Sequence, residues 1–152
     1  MRSPSFKHTK SSARGVSLVE VMVSVFILSI GLLGIAAMQA TGLSNNQSSL
    51  ERTQAIIHSY SIMDSMRTNL VIARAGGYNI GLTCAPPGGG TLATNDITNW
   101  ITAMQASNQG ACGMIEQVII NGVVHHRVTV QWNDSRATGG SATQTVATVG
   151  RL

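Results

Sequence analysis

Charged residues make up only 11% of the 152-residue chain, against roughly 25% in ordinary soluble domains. That scarcity excludes a soluble domain with a densely charged surface. An apolar content of 43% excludes a disordered, charge-rich chain. The length excludes a large multidomain enzyme and leaves room for little more than one domain. Proline is rare, and none falls between residues 21 and 50. Also missing are a nucleophile elbow, a phosphate loop, an HExxH pair and any paired-carboxylate spacing. No residue qualifies as catalytic, no metal set is apparent, and no cofactor is implied.

Acidic residues are absent from the first fifteen positions, where Arg2, Lys7, Lys10 and Arg14 stand. The basic residues beyond them are Arg52, Arg67, Arg74, Arg127, Arg136 and Arg151. They are matched in number by Glu20, Glu51, Asp64, Asp96, Glu116 and Asp134. The net charge of +4 is therefore all in the leader. The rest is neutral and offers no footprint for a phosphate backbone, so nucleic acid is not an expected partner.

Charge is absent altogether from Val21 to Leu50. Residues 21–40, VMVSVFILSIGLLGIAAMQA, would span about 30 Å as a helix, the thickness of a bilayer's hydrocarbon core. A chain this short cannot surround a helix that is apolar on every side. The segment reads as a membrane span, and in lipid its backbone must be helical. The basic leader keeps the N-terminus cytoplasmic, which places everything beyond about residue 45 outside the inner membrane.

The leader lacks the pattern of a standard secretory signal, in which cleavage follows the apolar region. The stretch Arg14-Gly15-Val16-Ser17-Leu18-Val19-Glu20-Val21 instead resembles the cleavage motif of the type IV prepilin family. That motif has a Gly, then an apolar residue, then a Glu five residues into the mature chain. Gly15 and Glu20 match it, and Val16 stands where Phe is usual. The resemblance implies cleavage between Gly15 and Val16 by a prepilin peptidase and N-methylation of Val16. An acid at the edge of a span is costly and hence a functional candidate. Glu20 would neutralise the new N-terminal amine of a neighbouring subunit inside an apolar filament core.

The run from Ser29 to Gln39 and the segment Met66-Arg67-Thr68-Asn69 are similar to the PilV minor pilins, the type IV pilus modification proteins. This resemblance covers roughly residues 14 to 70. It implies an α+β, pilin-like fold: a long N-terminal hydrophobic helix packed on a small antiparallel sheet. The implied partners are other minor pilins and the major pilin, met through that helix, with the assembly machinery of the inner membrane. The implied role is promotion of pilus assembly and, through it, adhesion and twitching motility. A minor pseudopilin of a type II secretion system has the same leader and is the alternative. A third reading is an uncleaved single-span anchor carrying a periplasmic binding or enzymatic head.

Four segments follow: a leader over 1–15, a span or filament-core half-helix over 16–42, an amphipathic half-helix over 43–75, and a head over 76–152. Gly31 and Gly34 mark a flexible point or a close helix approach, or simply the tolerance of membrane helices for glycine. Ile56, Tyr60, Met63, Met66 and Leu70 recur at helical spacing and predict one packed face, with Arg52, Ser59 and Arg67 outside it. Gly76-Gly77 ends a helix that starts near Val16, about 90 Å long at the standard rise.

Residues 76–93 read as a loop. Thr94 or Asn95 would cap a short helix to about Ser107, with Trp100 and Met104 on its buried face. Asn121-Gly122 between Met114–Ile120 and Val123–Trp132 predicts a hairpin, and Thr143 to Val149 a third strand. Cys84 and Cys112 lie in the extracytoplasmic head and are expected to be bridged. His125 and His126 are neighbours on a strand, point to opposite faces and do not form one metal site.

Overall fold

The structure is a computed structural model, and it describes residues 15–152. The basic leader positions Arg2, Lys7, Lys10 and Arg14 lie outside the described residues. The elements in order are α1 (Leu18–Thr68), α2 (Leu70–Arg74), β1 (Ile80–Thr83), α3 (Leu92–Ser107), β2 (Cys112–Ile120), β3 (Val123–Trp132) and β4 (Gln144–Gly150). The chain divides into two compact units, the first ending at Gln39 and the second beginning at Ala40.

In the first unit every described residue is exposed. Val16, Leu18, Leu33 and Met38 are each more than 70% accessible. The helix is long and apolar enough to cross a membrane, and leaving such a surface in water is unfavourable by roughly 25 cal/mol per Å². The hydroxyls of Ser24 and Ser29 donate to the carbonyls of Glu20 and Val25, each at 2.7 Å. These internal bonds let two polar side chains sit in an apolar helix without an unmet donor.

In the second unit, α1 from Ala40 onward packs on an antiparallel four-stranded sheet of order β1-β2-β3-β4. The architecture is α+β, a long N-terminal apolar helix with a small antiparallel sheet, consistent with a pilin-like fold. β2 and β3 form the expected hairpin, in continuous register from Cys112 opposite Gln131 to Ile120 opposite Val123. Asn121 and Gly122 take φ of 51° and 75°, both left-handed as a type I′ turn requires. His126, Val128, Val130 and Trp132 face the core, alternating with half-buried neighbours. α3 covers another part of the core with Ile97, Trp100, Ile101 and Met104.

Four details differ from the sequence expectation. The helix is not continuous to Arg74: it breaks at Asn69, whose φ of −121° and ψ of 49° are not helical. The Asn69 amide nitrogen of the side chain donates to Tyr78 Oη at 3.2 Å, which competes with helix continuation. The stripe is also rotated. Ala55, Ser59, Ile62, Met63 and Met66 are buried, whereas Tyr60 is 53% and Ile56 37% exposed. Ser59 can be buried because its hydroxyl bonds back to the Ala55 carbonyl at 2.8 Å. Within the expected loop, Ile80–Thr83 forms β1 against β2, with a register shift between Ile80 and Thr83. Finally, Thr91 is the N-cap of α3. Its side chain accepts from the Thr94 amide, and Thr94 returns the bond as the third helical residue of a capping box.

Candidate functional site

Gly15, Val16 and Ser17 precede α1 in non-helical backbone. The Gly15–Val16 peptide therefore stands outside the helix and exposed. Val21 N–H donates to the Ser17 carbonyl at 3.2 Å and starts the helical ladder. Glu20 follows in the first turn. There the unpaired amide dipoles favour a carboxylate. Glu20 is exposed and has no ion-pair partner among the described residues. α1 runs through Gly31 and Gly34 without interruption, and a Cβ added at either would meet nothing within 4 Å.

In the second unit Cys84, just after β1, is bridged to Cys112, the first residue of β2. The enclosed loop carries α3 between its ends. With 28 residues of separation, chain entropy puts the stabilisation at about 3–4 kcal/mol. Trp100 of α3 donates its indole N–H to the His58 carbonyl of α1 at 3.0 Å and lies directly over Gly113 of β2. Burial holds the His58 imidazole below its ordinary pKa. Burial, then the hydrogen bond to Asp96, pushes the Tyr78 hydroxyl up.

A set of contacts that the sequence reading did not foresee ties the β3–β4 loop to α1. Ser44 Oγ donates to the Arg136 carbonyl at 2.6 Å, and Asn45 Oδ1 accepts from the Thr138 amide at 3.0 Å. Ser48 Oγ donates to Asp134 Oδ2 at 2.6 Å. The buried Glu51 lies 3.5 Å from the Arg136 guanidinium. The available signal was the polar run 44–49 inside a helix, facing a turn rich in Asn, Asp and Ser.

The histidine pair is divided as expected. His126 is buried, its Nε2 3.1 Å from the Ala73 carbonyl, while His125 Nδ1 lies 3.0 Å from the Val123 carbonyl. Among the described residues no three His, Cys, Asp or Glu side chains gather as a metal site would need.

Residues 10–36 match the family model described as the prokaryotic N-terminal methylation motif. No curated protein and no solved structure matches the chain. The motif implies processing by a prepilin peptidase, and with the apolar helix it fits a membrane-anchored pilin. Proteins of the pilin type are structural, not enzymatic. Motif, apolar helix and sheet together support a type IV prepilin-like family, pilin or pseudopilin, for this chain.

Proposed function

We propose that the chain is a minor pilin of a type IV pilus, similar to the PilV proteins. In this reading it waits in the inner membrane with its head in the periplasm. Hydrolysis of the Gly15–Val16 bond removes the leader, and the freed Val16 amine is methylated. The apolar helix then leaves lipid for an equivalent apolar site among the helices of other minor pilins and the major pilin. This transfer conserves hydrophobic burial, so it needs only a specific attraction to set register.

Glu20 is the observation that carries the reading. It is an exposed carboxylate without an ion pair among the described residues, at the start of a segment with no other charge. A charge there is expensive in lipid. It becomes favourable when the cationic amine of a neighbouring processed subunit lies beside it, because pairing offsets desolvation. Gly31 and Gly34 supply bare backbone where a second helix can approach closely.

The pilus assignment over a secretion pseudopilin rests on the similarity of residues 29–39 and 66–69 to PilV-type chains. A deletion strain tests it. Loss of surface pili and twitching with exoenzyme secretion intact supports the assignment. Retained pili with lost secretion overturns it in favour of the type II secretion pseudopilin.

A further inference from the structure

The two edges of the sheet are not alike. β1 is four residues long, carries a register shift and leads straight into the bridged Cys84. Short length and irregularity are how an exposed edge is kept from pairing. β4 has neither protection. It pairs regularly with β3 from Trp132 opposite Gln144 to His126 opposite Gly150. Its sequence, QTVATVG, contains no charge and no proline.

In an antiparallel strand every second residue turns both backbone polar groups outward. Along β4 those outward groups have no partner among the described residues. An unpaired edge of this kind is a template for another extended backbone.

The flank of α1 beside this edge carries apolar side chains between Arg52 and Met63. Gly150 lies against Met63, close enough that a Cβ on Gly150 would come 3.1 Å from the Met63 sulfur. At the other end of the strand, Gln144 shares a groove of about 280 Å³ with Ser49 and Arg52. β4 therefore runs alongside α1 from residue 49 to residue 63. Ile56 stands four residues after Arg52 and seven before Met63, and Tyr60 three before Met63, so helical spacing puts both on the same side as Met63. They remain 37% and 53% exposed among the described residues.

We propose that β4 takes an added strand from a partner protein. The partner segment is extended, with alternate apolar residues that seat on Ile56 and Tyr60. Its ends are acidic, because exposed Arg52 lies at one end of β4 and exposed Arg151 follows the other, with no acid within the strand. A second copy of this chain is a poorer occupant. Antiparallel pairing of β4 with itself would reverse one α1 against the other. It would also bring Arg52 beside the start of one strand toward Arg151 beyond the end of the other, like charge against like. The proposal does not depend on whether the chain serves a pilus or a secretion machine.

The test places the photo-crosslinking residue benzoylphenylalanine at Thr145, Ala147 or Val149 of the full chain in cell envelopes, and maps the crosslinked peptides by mass spectrometry. The expected result is one partner segment, with contact points that step along it as the probe steps along β4. Ile56→Asp and Tyr60→Asp, both at accessible positions, should each lower the yield about tenfold by placing a carboxylate under the added strand. Formation of the Cys84–Cys112 bridge reports that each variant has folded. Crosslinks that scatter without register, reach β4 of a second copy, or persist unchanged in both variants overturn the proposal.

Discussion

The Ser48 hydroxyl donates to Asp134 Oδ2 at 2.6 Å, joining α1 to the loop between β3 and β4. Asp134 is buried. Its loop is held along α1 by the further contacts of Ser44, Asn45 and Glu51. Asp134→Ala removes a charged acceptor and leaves the Ser48 donor without it, a loss of about 1–3 kcal/mol. The midpoint of thermal unfolding of the second unit should fall by roughly 5–10 °C. Circular dichroism melts of the variant and the parent, in the same detergent, check this.

Trp100 and Gly113 give a second prediction. A Cβ on Gly113 would lie 2.4 Å from the Trp100 ring. The neighbour is a buried indole held by its bond to the His58 carbonyl, so it cannot swing clear. Gly113→Ala should cost about 1–3 kcal/mol through overpacking. It should also red-shift the tryptophan fluorescence as Trp100 is displaced toward water. An unchanged spectrum and an unchanged melt would show that α3 is seated differently.

The third prediction concerns pH. Burial lowers the folded-state pKa of His58 below its ordinary value of 6.5. The unfolded chain therefore binds the proton more readily than the native state does. The stability this contributes is complete above the unfolded value. It is lost as pH falls through that value toward the lower folded one. The thermal midpoint should drop between about pH 7.5 and pH 5.5. His58 Nε2 lies 2.8 Å from Ser107 Oγ; His58→Gln, which keeps a polar group there but does not titrate, should flatten part of that drop. An equal slope in both proteins would contradict the assignment to His58.

Much of this was legible in the sequence, for reasons that differ by element. The apolar half of α1 declares itself because a span must exclude charge over its whole length. The β2–β3 hairpin declares itself through Asn121-Gly122, because few other residue pairs accept two left-handed conformations. The cysteine bridge followed from the compartment that the leader and span imply. What escaped depends on partners distant in the chain. Asn69, where the helix breaks, bonds to Tyr78, nine residues on. β1 has no alternating pattern of its own and exists because β2 offers it an edge. The buried face of α1 is centred on Ser59, a residue that counts as polar until its hydroxyl is seen bonded within the helix. The loop clasp at Ser48 and Asp134 joins residues 86 positions apart, beyond any local pattern. At the N-terminus the geometry adds an exposed Gly15–Val16 peptide and a first-turn Glu20 to a motif the sequence already spells.

The central claim is that Gly15–Val16 is a processing site and Glu20 serves the processed end. The most direct measurement is the intact mass and N-terminal sequence of the protein extracted from inner membranes, with Glu20→Ala beside it. The account predicts a chain that begins at Val16 and is one methyl group heavier than its sequence. It also predicts a Glu20→Ala variant that is processed but absent from sheared filaments. A chain that still begins at Met1, in cells with a working prepilin peptidase, would contradict it.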